Sequence, residues 1–69
     1  MQMSPVSSTL ISAIGYDAEK RALLVVFLKG GSYRYQNFPP ALWEQFKAAS
    51  SKGKFFLQNI KPQYTGVKQ

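Results

Sequence analysis

The chain contains no cysteine and no histidine, and its 69 residues carry only three acids, Asp17, Glu19 and Glu44. Each shortage excludes something. Without cysteine there is neither a disulfide nor a zinc–thiolate site to staple so short a chain. Without histidine the usual proton carrier at neutral pH is missing, and Ser7, Ser8, Ser50 and Ser51 have no imidazole to activate them. Asp17 and Glu19 fall in a polar stretch that reads as a surface turn, where carboxylates serve solvation. Lys52-Gly53-Lys54 has the look of a phosphate-loop fragment but lacks the Gly-x-x-x-x-Gly-Lys-Ser/Thr pattern that cradles phosphate. The expectation is therefore no enzyme, no cofactor and no metal.

Long apolar runs are also absent. The longest, Ala22 to Leu28, has seven residues, far short of the roughly 20 that span a bilayer. The start, Met1-Gln2-Met3-Ser4-Pro5, lacks the basic and apolar regions of a signal peptide. A soluble, cytoplasmic protein with no membrane partner is expected.

What the chain does have is positive charge and aromatic side chains. Nine lysines and arginines leave a net charge of +6, which favours polyanionic partners such as nucleic acid. Five phenylalanines, four tyrosines, one tryptophan and a hydrophobic share of 45% are enough for a real core. At this length there is one domain, and it buries only about 60% of the surface its unfolded form exposes.

The apolar pattern orders the elements. Residues 1–6 read as a flexible lead-in. Ser7 to Tyr16, with Leu10, Ile11, Ile14 and Tyr16, reads as a strand, and Asp17 to Arg21 as a turn. Ala22 to Leu28 is apolar on both faces and bounded by glycine, as a central strand should be. Lys29-Gly30-Gly31-Ser32 supplies a hairpin turn, because glycine accepts the positive φ such turns need. Tyr33 to Phe38 is the third strand. Pro39-Pro40 stops the sheet and suits the first turn of a helix, Ala41 to Ser51, whose Leu42, Phe46 and Ala49 share one face. Gly53 is the candidate residue just beyond its end. Lys54 to Lys61 reads as either a short helix or a last strand, with Phe56 and Ile60 four apart favouring helix, and 63–69 as a mobile tail. The fold class is α+β: a three-stranded antiparallel meander, one helix, and a short helical or extended C-terminal segment. The domain proper spans 7–62.

The candidate site follows from period-two alternation. On a strand, Tyr33 and Tyr35 share a face and Arg34 points to the other. Proteins that bind single strands combine stacking aromatics on a sheet with nearby cations. Tyr16, Tyr33 and Tyr35 are the candidate stacking residues, with Arg34, Lys29, Lys52 and Lys54 as phosphate contacts. Two readings stand side by side here, because paired aromatics on one sheet face also build hydrophobic cores. Trp43, Phe46, Phe55 and Phe56 read as core. Leu24, Val26 and Leu28 leave a second apolar face on a sheet too small to cover both of its sides, which suits self-association or a protein partner.

In order along the chain come Val6-Ser7-Ser8, Ile14-Gly15-Tyr16-Asp17, an apolar strand ending at Phe27, Gly31-Ser32-Tyr33-Arg34-Tyr35, Phe38-Pro39, Ala49-Ser50-Ser51-Lys52-Gly53-Lys54-Phe55-Phe56 and Ile60. This series resembles the KTSC domain, a small module named for its occurrence at the C-terminus of some lysyl-tRNA synthetases. The likeness runs from about Val6 to Tyr64, with the tyrosine-x-tyrosine centre as its hallmark. It implies a stand-alone member of a family for which RNA binding has been suggested, with Tyr33 and Tyr35 at the centre. It implies no aminoacylation, since nothing here resembles a synthetase core. The expected function is a small, non-enzymatic module for RNA or single-stranded nucleic acid. The alternative is a protein-interaction or self-associating module of unknown process, with a homodimer or a protein partner.

Overall fold

The computed structural model describes residues 3–6 and 8–69. Five strands form one antiparallel sheet in the order of the chain: β1 (Met3–Pro5), β2 (Ile11–Asp17), β3 (Ala22–Phe27), β4 (Gly31–Tyr35) and β5 (Gly66–Lys68). Between β4 and β5 lie α1 (Pro40–Ala48), α2 (Lys52–Phe55) and a π-helical turn, Phe56–Ile60. The α+β meander expected from the sequence is its middle. The segments read as lead-in and tail contribute the two outer strands, β1 against β2 and β5 against β4.

Local chemistry accounts for the turns. Gly30 and Gly31 take φ of 115° and 83° in the β3–β4 turn, a region that other residues enter at a cost. In the β2–β3 turn the Asp17 carboxylate accepts the amide N–H groups of Glu19 and Lys20 at 3.2 and 3.3 Å, as a side chain competing with the ladder does. Pro40 opens α1 with its ring-fixed φ. The helix stops at Ala48, with Ala49 extended. Gly53 is therefore not its terminal residue but lies buried within α2, which Ser51 caps by accepting the Lys54 N–H.

One face of the sheet is covered. The register shifts between Ile11 and Ala13, a bulge that turns both Ile11 and Ile14 to the same side. They join Leu23 and Val25, and Phe38, Phe46, Phe56 and Ile60 from the segments after β4 close over them. All eight are at most 4% exposed. Trp43 and Phe55 pack at the margin of this core. Every helical segment lies on this side.

Candidate functional site

Strand register decides what the tyrosines meet. Tyr35 pairs with Leu23 and Tyr33 with Val25, so both rings point to the helix-covered side. Tyr35 is buried and Tyr33 half-buried. They do not form an open platform. They stand in one wall of a cleft of about 360 Å³ at the margin of the core. Edge-to-face contacts tie that wall together: Tyr33 on Phe27 at 5.6 Å, Phe27 on Phe56 at 5.2 Å, and Phe56 on Tyr35 at 5.7 Å between ring centres. Such pairs each add about 0.5–1.5 kcal/mol beyond area burial, which holds the rings in contact.

The C-terminal segment supplies the rest of the lining. The π turn hydrogen-bonds Lys61 N–H to the Phe56 carbonyl at 2.9 Å, a five-residue step. It brings Lys61 to the same side as Phe56, and both line the cleft with Tyr64. Single π turns recur at functional sites. Gly66 of β5 forms the floor, because a Cβ there would lie 2.8 Å from the Tyr35 ring and hydroxyl. The Tyr35 hydroxyl finds no hydrogen-bond partner among the described residues and is not sealed from solvent. Burial, and then the neighbouring Tyr33, push its pKa up. It is thus a neutral donor across the physiological range, and no carboxylate lines the cleft.

Lys61 is in the lining, and Lys68 lies across from Tyr33 in the β4–β5 register. Lys29 sits exposed in the turn joining the strands of Phe27 and Tyr33. Leu10 and Leu57 separate the cleft from a second depression of about 440 Å³, bordered by Ser8, Ser51, Lys52 and Lys54. Lys52 donates its ammonium to the Ala49 carbonyl at 2.8 Å, while Lys54 is exposed.

Of the candidate residues, Tyr33 and Tyr35 line the cleft, Lys52 and Lys54 border the neighbouring depression, and Lys29 lies in the β3–β4 turn. The structure sets two apart. Tyr16 stacks on Trp43 at 5.4 Å and donates its hydroxyl to the Phe38 carbonyl, which commits it to the core margin. Burial raises its pKa, partly offset by Arg21. Arg34 points to the uncovered face. Lys61, Tyr64, Phe27 and Phe56 were not among the expected site residues. The five-residue step from Phe56 to Lys61 is legible only as a π turn, and the sequence pattern leaves a short helix and a last strand both open.

Residues 7–64 match the KTSC domain. The chain belongs to the KTSC domain family. A crystal structure of a KTSC domain protein from Yersinia pestis superposes with a TM-score of 0.95 at 40% identity, covering 99% of this chain and 96% of that one. A protein of Tsukamurella paurometabola is 37% identical over 65 residues, 94% of this chain and 97% of its own. An uncharacterized protein of Stutzerimonas stutzeri is 36% identical over 64 residues, 93% and 90% of the two chains. This KTSC domain is therefore similar over nearly its full length to other small proteins. Its tyrosine-x-tyrosine centre stands in one wall of the cleft. Among the described residues no helix is long and apolar enough to cross a membrane.

Proposed function

We propose that this KTSC domain is a non-enzymatic module that binds single-stranded nucleic acid, RNA before DNA, at the tyrosine-lined cleft. The observation that carries the reading is the composition of that cleft: aromatic rings, hydroxyl donors and Lys61, with no acid in its lining. Unstacked bases are held by aromatic rings at about 1–3 kcal/mol each. Lys29, Lys68 and Lys54 offer contacts to the phosphates on either side, and the hydroxyl-bearing depression next to the cleft extends the track. A duplex keeps its bases stacked and does not enter. The rest of the chain supports a binding role over a catalytic one. Asp17 braces a turn, and Glu44 is paired with Lys47 at 2.9 Å.

Fluorescence anisotropy with a labelled oligouridylate tests this. Tyr33→Ala is expected to weaken binding at least tenfold with an unchanged circular dichroism spectrum, because Tyr33 is only half-buried. Lys61→Ala is expected to weaken it severalfold. Lys47→Ala, which removes the partner of Glu44 beside Trp43, should bind as wild type does. No binding at low salt, or a Tyr33→Ala variant equal to wild type, rejects the reading.

A further inference from the structure

The sheet has a second face that no helix covers. Register places Met3, Gly15, Leu24, Arg34 and Val67 in one row across all five strands. Beside it runs the row of Pro5, Ala13, Val26 and Ser32, and on its other side lie Asp17 and Ala22. Met3 and Val67 are 38% and 54% exposed, two of the four large hydrophobic side chains exposed among the described residues. Apolar patches left open on a small protein mark interaction surfaces. Here the patch also has an unmet polar demand. The Arg34 Nε is shut off from solvent without an acceptor, the only buried side-chain polar atom in that state among the described residues.

Its own chain covers that Nε, so an acceptor from outside meets the terminal guanidinium nitrogens, and a carboxylate stands on the same face. Asp17 ends β2 and Arg34 sits on β4, and both border one shallow depression of about 170 Å³ with Leu24, Ala22 and Lys20. They form no ion pair within the chain. The single salt bridge among the described residues is Lys47–Glu44. Asp17 and Arg34 lie one strand to either side of β3 and one row apart, so the point midway between them falls on β3 between Ala22 and Leu24.

We propose that this face packs on the same face of a second copy, about a two-fold axis passing over that point, so that each Arg34 meets the Asp17 of the other copy. Such an axis exchanges the two positions, and an isologous interface requires this reciprocity. Sheets packed face to face lie about 10 Å apart, a gap that an arginine and an aspartate bridge together. The same operation brings each Leu24 close to the position of Gly15 of the second copy. The strands of the two sheets then cross nearer to perpendicular than to aligned, one of the two packing modes that sheets use. A foreign acidic partner is not needed, since the face carries both members of the pair. Lys20 borders this face beside Asp17, whereas Lys52, Lys54 and Lys61 lie beyond the helices, on the far side of a body 24 Å across its thinner dimensions. That exceeds the roughly 8 Å Debye length at physiological salt. The two clefts face outward, so this interface leaves the proposed nucleic-acid site open.

Charge exchange tests the proposal. In sedimentation velocity over a rising concentration series, wild type is expected to pass from monomer to dimer. Arg34→Asp and Asp17→Arg should each self-associate at least tenfold more weakly. An equimolar mixture of these two variants should form a heterodimer, and the double variant Asp17→Arg with Arg34→Asp should recover the homodimer. Independently of any variant, a half-labelled wild-type sample should give isotope-filtered NOEs between the Leu24 methyls and Gly15 of the second copy. A wild type that stays monomeric, a mixture that does not associate, or a dimer without those NOEs overturns the interface. Oligouridylate affinity per chain should be the same for both single variants. If Arg34→Asp loses oligonucleotide while its assembly state is unchanged, the face serves the polyanion and the dimer is refuted. Loss of oligonucleotide binding in Tyr33→Ala speaks to the cleft alone.

Discussion

Gly66 and Tyr35 show how one residue shapes the site. Tyr35 is 5% exposed and packs edge-on against Phe56, so a methyl group at Gly66 must displace its ring from that contact toward the cleft. Gly66→Ala is expected to cost about 1–3 kcal/mol and to loosen β5, read as a lower urea midpoint and faster exchange of the Tyr35 amide. The two tyrosines with raised pKa govern alkaline behaviour. In the unfolded chain a tyrosine ionises near pH 10. In the folded chain burial pushes Tyr35 and Tyr16 above that value. Below pH 10 both states hold the proton and stability is flat. As pH rises further the unfolded state ionises first, so stability falls until the folded-state pKa is passed. Chemical denaturation between pH 8 and pH 11 should show that decline, and it should be shallower in Tyr35→Phe and in Tyr16→Phe. Equal slopes in all three proteins would assign the decline elsewhere.

At the scale of elements, the π turn and β5 do most to build the cleft. The extra residue in the turn moves Lys61 next to Phe56, and β5 closes the floor with Gly66. β5 is three residues long, yet it pairs with Tyr33 and Tyr35 and its neighbour Gln69 donates its N–H to the Ser32 carbonyl at 2.9 Å. Ending the chain after Tyr64 exposes the edge of β4 and removes Lys68. The truncated protein is expected to lose about 1–3 kcal/mol, comparable to a damaging point substitution. For a domain of this size each kcal/mol corresponds to about 4–8 °C in Tm, well within reach of differential scanning fluorimetry. An unchanged Tm would mean that the meander stands without its last strand.

At the scale of the molecule, the asymmetry of the fold matters most. One sheet face is dry and the other open, and the two proposed activities occupy opposite sides. Charge belongs to this scale too. If the cleft and its rim neutralise about three phosphates, the oligonucleotide affinity should fall with a log–log salt slope near −2, from about −0.7 per single-strand phosphate. A slope near zero would remove the cations from the interface. The small size also makes association consequential. A domain of this length has only a few kcal/mol of net stability, and burying the apolar rows against a second copy adds to it by mass action.

The sequence by itself determined the strand–turn–strand order, the break at Pro39-Pro40, the aromatic core, the basic surface and the resemblance to the KTSC family. These rest on local patterns: glycine where φ must be positive, proline where a ladder ends, alternation within a strand. It also paired Tyr33 with Tyr35 and opposed Arg34 to them, because period two is a property of the strand alone. Only the tertiary structure decided which of those faces is covered. That depends on the side to which the chain returns after β4, and alternation is silent about it. The short strands Met3–Pro5 and Gly66–Lys68 were illegible for a related reason. Three residues carry too little periodicity to read, and they become strands because the edges of β2 and β4 have hydrogen bonds to complete. Tertiary packing likewise separated Tyr16 and Arg34 from the other candidates and brought Lys61, Tyr64 and Gly66 to the tyrosines. It turned an expected stacking surface into the wall of a cleft.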